Sequence, residues 1–301
     1  MSAGVAVPQK AATVILVRPA RGKNWEILLV RRHHRQSFMA GAFVFPGGKM
    51  EPSDEDPAMS SLCRMPDGFD PPALLQDTSL KTQEALSFFI AGIRETFEEA
   101  GILLAVDRNG DLITFLQNES EGRFAAHRRF LAAKAASFAG IIRQEDIFLH
   151  PEALLPYSRW ITPLSLAKRF DTRFFLARLP DGQKAAADRT EVTEFLWVTP
   201  AQALEMHLSR RIVLMPPTLT TITELADFPA IDDLFAATRK RSIFPILPQE
   251  FAGGLKLPHD PDYGLEKYRR PANPSKPCRI LLEEGMWNTA FYQDKKSPKP
   301  C

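Results

Sequence analysis

The chain has 301 residues, of which 45% are hydrophobic and 25% are charged, so it can bury a substantial core. Its 38 basic and 36 acidic residues leave a formal charge of +2, which does not indicate a nucleic-acid or membrane-surface partner. The widely spaced cysteines Cys63, Cys278 and Cys301 argue against a disulfide framework or a zinc site. No apolar run is long enough to span a bilayer, and no targeting signal is recognised. We therefore expect a cytoplasmic protein.

The first part of the chain predicts strands. Residues 11–18 and WEILLVRR from Trp25 are apolar runs separated by PARGKN, which is typical of a hairpin loop. GAFVFPGG predicts a strand over 42–45 that stops at Pro46, Gly47 and Gly48. Residues 51–80 are rich in Pro, Asp and Ser, so we expect a loop or lid that includes one helical turn.

Helical periodicity begins at about Thr82, and Gly101 fits the left-handed residue that ends many helices. A second helix is expected over 124–138. TRFFLARLP (172–180) and EFLWVTP (194–200) predict strands, and Pro200 suits the first position of a further helix. Beyond Pro245 the chain becomes Pro-rich, with one expected strand at 279–282.

The stretch RETFEEAGI, residues 94–102, places Glu95, Glu98 and Glu99 on one face of the first helix. Like charges at this spacing, near the negative end of the helix dipole, destabilise the helix. A divalent cation such as Mg²⁺, which binds carboxylate oxygens, would offset that repulsion. The alternative is a solvated acidic face. The upstream segment FPGGKMEP favours the cation, because its glycines allow backbone to approach an ion or phosphate closely.

GGKMEPS…RETFEEAGI resembles the Nudix box, in which Gly is followed by five residues, Glu, seven residues, Arg-Glu, two residues, Glu-Glu, one residue and Gly. The matching positions are Gly48, Arg94, Glu95, Glu98, Glu99, Gly101 and the apolar Ile102, with Thr96 in the first apolar slot. The step from Gly48 to Arg94 is 94 − 48 = 46 rather than 14, so 32 extra residues interrupt the box. Counting forward from Gly48 puts Asp54 at the first Glu position, whereas counting back from Arg94 puts Leu86 there.

The interruption, FMAGAFVFPGG and RWITPLSLAKRFDTRFFLARLP are similar to a Nudix subgroup that includes the mammalian peroxisomal coenzyme A diphosphatase. The resemblance implies an α/β/α sandwich with a mixed sheet over residues 8–245, an insertion at about 52–82 within the box, and a Pro-rich C-terminal extension over 246–301. It implies metal-dependent hydrolysis of coenzyme A or acyl-coenzyme A to 3',5'-ADP and (acyl-)4'-phosphopantetheine. The alternatives are an ADP-ribose, NADH or dinucleoside polyphosphate pyrophosphatase, or a non-catalytic Nudix-fold binding module.

The resemblance also assigns roles to residues. The expected ligands of Mg²⁺ or Mn²⁺ are Glu95, Glu98, Glu99 and the Gly47 carbonyl. Glu98 and Glu99 are the expected catalytic residues of the box, and Arg94 and Gly101 are expected to support them structurally.

Further roles fall outside the box. Glu191 is the first candidate for general base and Glu194 the second, although both could be solvated loop acids. Arg31, Arg32 and Gly48 are candidate contacts for a substrate phosphate, and edge-strand solubility explains the arginines equally well. His33 and His34 are expected to be surface residues. The expected partner is a small-molecule nucleoside diphosphate derivative, without nucleic acid or membrane, and a homodimer is left open.

Overall fold

The computed structural model describes residues 5–20, 22, 24–33, 41–115, 118–186 and 192–293, with the side chains of 118, 119, 192 and 193 left aside. The strands in these residues are β1 (Gln9–Pro19), β2 (Trp25–Arg32), β3 (Phe43–Val44), β4 (Gly47–Lys49), β5 (Ala105–Val106), β6 (Phe148–Leu149), β7 (Leu155–Ile161), β8 (Phe170–Arg178), β9 (Val192–Val198), β10 (Pro245–Ile246), β11 (Gln249–Phe251), β12 (Gly254–Lys256), β13 (Arg279–Glu283) and β14 (Met286–Ala290). The α-helices are α1 (Pro71–Leu74), α2 (Thr82–Ala100), α3 (Asn118–Ala132), α4 (Phe138–Gln144), α5 (Pro200–Leu208), α6 (Pro216–Leu225) and α7 (Ile231–Arg239).

Strand β1 is the axis of a mixed sheet in the order β10-β7-β8-β1-β2-β3, to which β4 and β9 add by pairing with β1 and β2. β8 runs parallel to β1 along residues 9–17 and occupies one edge. The other edge is shared, because β4 pairs with residues 11–13 and β2 with residues 17–19. β2 and β4 therefore pair with different segments of the same edge of β1, and residues 14–16 lie between the two ladders.

Helices cover both faces of this sheet. On one face, α2 packs closely against β1 because Gly92 has no side chain: a Cβ there would lie 3.3 Å from a Val14 methyl group. On the other face, apolar residues of α6 and α7 such as Leu219, Ile222 and Leu234 are buried against the opposite side of the strands. Since both faces are covered, β1 is apolar on both, with Val14 and Ile15 fully buried. The predicted α/β/α sandwich is confirmed.

The insertion within the box is mostly turn and loop, as its composition predicts, and it is docked against the core. It contains a 3₁₀ helix over Pro57–Leu62 and the short helix α1. Met59 and Leu75 are buried in the core beneath α2, and the ring of Phe69 meets Phe89 edge-on with centroids 5.6 Å apart. These contacts hold the insertion against the N-terminal half of α2.

The Pro-rich segment after Pro245 is more structured than its composition indicates. β10 joins the main sheet beside β7, and β11 to β14 form an antiparallel four-stranded sheet. Leu255 and Ile280 of this sheet are buried with residues of α6 and α7. His207 bonds through Nε2 to the Trp287 carbonyl at 2.8 Å, which ties α5 to β14. The extension therefore completes the core on that face of the main sheet.

Candidate active site

The acidic stretch lies at the C-terminal end of α2, as the sequence predicts. Gly101 ends the helix in the left-handed conformation (φ 73°) and donates its N–H to the Phe97 carbonyl. The glutamates therefore lie in the last two turns. Glu95 and Glu99 are buried, at 8% and 4% exposure, whereas the Glu98 side chain is one-third exposed.

The two glycines before the insertion bring backbone directly against this helix. Instead of ending a strand, as expected, Gly47 and Gly48 begin β4, in which they pair with Thr13 and Ala12 of β1. The Gly47 N–H donates to Glu99 Oε2 at 2.9 Å. A Cβ at Gly48 would lie 2.5 Å from the Glu95 carboxylate, so position 48 has no space for a side chain.

Arg94 is the centre of the carboxylate cluster. Its guanidinium makes a bidentate pair with Asp54, with Nε–Oδ1 at 2.9 Å and Nη2–Oδ2 at 3.0 Å. Nη1 contacts Glu95 Oε1 at 3.0 Å and Glu98 Oε2 at 3.1 Å, and Nη2 also donates to the Lys49 carbonyl. One guanidinium thus faces three carboxylates, and the cluster keeps an excess of negative charge.

The position of Asp54 decides between the two ways of counting across the interrupted box. Asp54 is 1% exposed, pairs with Arg94 and accepts the Glu51 N–H at 2.8 Å. Leu86 is buried in the apolar core. The forward count from Gly48 therefore gives the residue that contacts the box arginine, and the extra residues enter after it.

The crowding shifts the pKa values of the cluster. Burial alone would lower the pKa of Arg94, but the carboxylates of Glu95, Asp54 and Glu98 outweigh it and raise that pKa. Burial, with the charges of Glu51 and Asp54, raises the pKa of Glu98 against the opposing effect of Arg94. The guanidinium is therefore held charged among carboxylates that repel one another.

The donor atoms of this cluster fit a hard divalent cation in kind, because they are carboxylate and backbone oxygens. Their orientation is set by protein partners instead. Across the part of the chain that the structure describes, no group of three or more Asp, Glu, His or Cys side chains is arranged to hold a metal ion. Glu95 and Glu98 contact Arg94, and Glu99 accepts from Gly47. Glu95 contacts Arg94 through Oε1, and Glu98 contacts it through Oε2.

The predicted residues outside the box lie near the end of β2. Arg31 pairs with Glu194 across the β2–β9 ladder, with Nη1–Oε2 at 3.4 Å, and its guanidinium lies 5.9 Å from the Phe43 ring centroid. Arg32 is the next residue along β2 and is half-buried. Glu194 thus serves as the partner of Arg31. Glu191 and His34 lie outside the described residues, and His33 is half-buried.

Sequence reasoning missed Arg128, which lies on α3. Its Nη2 donates to the Glu98 carbonyl at 2.8 Å, and its guanidinium lies where a Cβ on Gly101 would be 2.8 Å away. A cation at the C-terminal end of α2 stabilises the negative end of the helix dipole. Only the alternation of alanines and basic residues along α3 was visible in the sequence, and it gave no indication of this contact.

The described helices include none that is both long enough and apolar enough to cross a membrane.

Comparison with known proteins gives consistent matches. A family model described as the NUDT19 Nudix domain matches residues 8–225. A human protein named acyl-coenzyme A diphosphatase NUDT19 is 30% identical over 78% of this chain and 68% of its own length. The protein of that name from Gallus gallus is 28% identical over 92% of this chain and 86% of its own. The crystal structure of a Nudix hydrolase from Alicyclobacillus acidocaldarius superposes with a TM-score of 0.57 at 24% identity, covering 76% of this chain and 96% of the other.

Proposed function

Since this chain belongs to the NUDT19 Nudix domain family of hydrolases, we propose that it hydrolyses the pyrophosphate bond of coenzyme A or an acyl-coenzyme A. The products would be 3',5'-ADP and (acyl-)4'-phosphopantetheine. The observation that supports this proposal is the carboxylate cluster itself, in which Arg94 faces Asp54, Glu95 and Glu98 beside the Gly47–Gly48 backbone. The substrate class follows the names of the relatives.

Nudix hydrolases use divalent metal ions, and Glu95, Glu98, Glu99 and the Gly47 carbonyl would hold Mg²⁺ or Mn²⁺ here. Bound there, such an ion would supply Lewis-acid polarisation of the phosphoryl oxygens and would neutralise charge that develops on them. Arg94 orients Glu95 and Glu98 through the contacts of its Nη1 atom. Gly47 fixes Glu99 through its N–H, so this carboxylate is held in place before any ligand arrives.

Glu191 is our first candidate for the general base that accepts the proton of the attacking water. Glu98, whose side chain is one-third exposed, is the box carboxylate that water reaches and is the alternative acceptor. Arg31 and Arg32 would meet a substrate phosphate at the end of β2. For Arg31, a phosphate would replace the long 3.4 Å contact with Glu194, which is exposed to solvent. The backbone of Gly48 is the third candidate contact for a phosphate, and the Glu95 carboxylate fills the space where a side chain of residue 48 would lie.

The test is a substrate panel with Glu98→Gln and Glu99→Gln. Purified protein is assayed in Mg²⁺ and in Mn²⁺ against coenzyme A, an acyl-coenzyme A, ADP-ribose, NADH and a diadenosine polyphosphate. We expect coenzyme A to be cleaved best, and each variant to lose at least about 100-fold in kcat, the scale on which removal of one charge-stabilising group acts.

Glu250→Gln, an exposed glutamate of β11, is the matched control and should keep full activity. Efficient cleavage of ADP-ribose with coenzyme A left intact would reject the substrate proposal. Full activity of both box variants would reject the assignment of the site.

A further inference from the structure

The C-terminal end of α2, which carries the box glutamates, has backbone carbonyls that the helix itself cannot satisfy. The Glu98 carbonyl accepts from Arg128 of α3, through Nη2 at 2.8 Å and Nε at 3.3 Å. The Ala100 carbonyl accepts the Ala186 N–H at 2.8 Å, from the segment that follows β8. Two separate elements therefore hold the last turn of α2.

The packing of α3 places Arg128 at this carbonyl. Phe124 and Arg128 are four residues apart, so they lie on the same face of α3. Their partners are neighbours on α2, because the Phe124 ring meets the Phe97 ring edge-on with centroids 6.2 Å apart. Phe124 is buried and also stacks on Phe115, with centroids 4.7 Å apart. This apolar contact fixes the position along α2 at which Arg128 meets the Glu98 carbonyl.

The glycine of the box leaves the space that this guanidinium occupies. A Cβ on Gly101 would lie 2.8 Å from Arg128 Nη1, too close for a side chain to fit without displacing the arginine. The charge that approaches here is positive, at the negative end of the helix dipole. Glu95, Glu98 and Glu99 add further negative charge in the same two turns. Arg128 therefore offsets repulsion at the end of the helix where the carboxylates are concentrated.

We propose that Arg128 is a positioning residue for the hydrolysis: by fixing the backbone at Glu98, it holds the Glu98 and Glu99 side chains in place for the reaction. This inference rests on the proposed function and adds a residue outside the box to it. Without the guanidinium, the Glu98 carbonyl loses two hydrogen bonds and the last turn of α2 opens more often. Since catalytic groups must be held to within about 0.5 Å, this motion slows the chemical step. Substrate affinity is affected less, because the proposed phosphate contacts Arg31 and Arg32 lie at the end of β2.

The test uses Arg128→Met and Arg128→Lys in the full-length protein. Methionine keeps a long apolar stem and removes both hydrogen bonds, whereas lysine keeps the charge without the planar fork. For Arg128→Met we expect kcat with coenzyme A to fall at least about tenfold and KM to stay within twofold, because displacing a catalytic group by about 1 Å can cost about 100-fold. Arg128→Lys should have a kcat between those of Arg128→Met and the unmodified protein, and it carries the test if Arg128→Met does not fold.

Hydrogen–deuterium exchange gives a second readout that does not depend on activity. In Arg128→Met, the amides of residues 98–101 should exchange at least about tenfold faster, the scale of a lost hydrogen bond to a charged group. The amides in the N-terminal half of α2 should keep their exchange rates. A local change of this kind separates the loss of positioning from a general loss of stability.

Arg123→Gln is the matched control, because Arg123 lies on the same helix and pairs with Glu145 at 2.9 Å instead of with Glu98. It should keep kcat, and exchange at 98–101, within twofold of the unmodified protein. Unchanged kcat in both Arg128 variants, an equal loss of kcat in Arg123→Gln, or faster exchange throughout the chain in Arg128→Met would overturn the positioning role. If the unmodified protein did not cleave coenzyme A, the proposed function would be rejected, while the exchange comparison would still show whether Arg128 holds the end of α2.

Discussion

At the scale of single residues, the glycines of β4 set the geometry of the site as firmly as the glutamates do. Gly47 supplies an N–H to Glu99, and Gly48 leaves space that the Glu95 carboxylate fills. The sequence indicated the glutamates because they lie within a few positions of one another on one helix. It did not indicate the contact between Asp54 and Arg94, which are 40 positions apart, because only tertiary folding brings them together.

Gly48→Ala should reduce activity strongly and change stability little. The new Cβ would lie 2.5 Å from the Glu95 carboxylate and push it from its 3.0 Å contact with Arg94. We expect kcat/KM to fall by about 100-fold, the scale of a displacement of about 1 Å in a catalytic group. The free energy of unfolding should change by less than about 1 kcal/mol, since only the end of a flexible side chain must move.

Gly122→Ala is the matched control, because a Cβ at this helical glycine of α3 meets nothing within 4 Å. It should raise the free energy of unfolding by about 0.5–1 kcal/mol and leave activity unchanged. Steady-state kinetics of both variants measure the change in kcat/KM, and urea unfolding measures the change in the free energy of unfolding. Wild-type activity in Gly48→Ala would show that Glu95 does not need its present position.

At the scale of secondary-structure elements, the sequence predicts best the strands and helices whose hydrophobic residues follow a regular pattern. β1, β2, β8 and α2 carry long apolar runs or clear helical spacing, and the sequence places each within a few residues of its observed bounds. The four-stranded C-terminal sheet was almost wholly missed, because its strands are short and lie among prolines. The docking of the insertion was not predicted for a similar reason: it depends on Asp77 and on a few buried apolar residues, which local composition does not reveal.

The attachment of the insertion can be tested through Asp77, which contacts Arg159 at 2.9 Å and Arg173 at 2.6 Å. Burial alone would raise the pKa of Asp77, but hydrogen bonds from Ser79 and Arg173 and the charges of both arginines lower it. Asp77→Asn should reduce the free energy of unfolding at pH 7 by about 3 kcal/mol, because it leaves Arg173 buried without this partner.

The effect of Asp77→Asn should depend on pH in one direction. A carboxylate whose pKa is lowered by folding stabilises the protein above its unfolded pKa of about 3.9, and the contribution is lost as the pH falls through the folded value. The difference between wild type and variant should therefore shrink below about pH 4. Asp67→Asn, at an exposed position of the same insertion, should show no difference at any pH. A pH-independent loss in Asp77→Asn would contradict the ion-pair explanation.

At the scale of the whole molecule, the main sheet and the C-terminal extension share one apolar core. Leu255, Leu257 and Ile280 pack with the helices that cover the sheet. We therefore expect the full chain to unfold in one cooperative transition, although its composition changes at Pro245. A chain that ends at residue 246 should lose this cooperative transition and aggregate, since the core would be open to water on one side.

A chain that ends at Gln293 is the control for this truncation and should unfold like the full-length protein. Thermal unfolding followed by circular dichroism, with size-exclusion chromatography, distinguishes the outcomes. A shorter chain that stayed monomeric and unfolded at the full-length temperature would show that the extension is energetically separate.

The pairing of Asp54 with Arg94 explains how the two halves of the Nudix box can come together although 32 extra residues separate them in the chain. The two residues are the fixed ends of a loop, and lengthening that loop from about 7 to about 39 residues costs only about 1.5 kcal/mol of closure entropy. Burial of Met59 and Leu75, worth about 1.5–3 kcal/mol for each side chain, is enough to offset that amount. The number of residues between these anchors therefore has little effect on closure of the site, and the carboxylate cluster can form with a long or a short segment between Asp54 and Arg94.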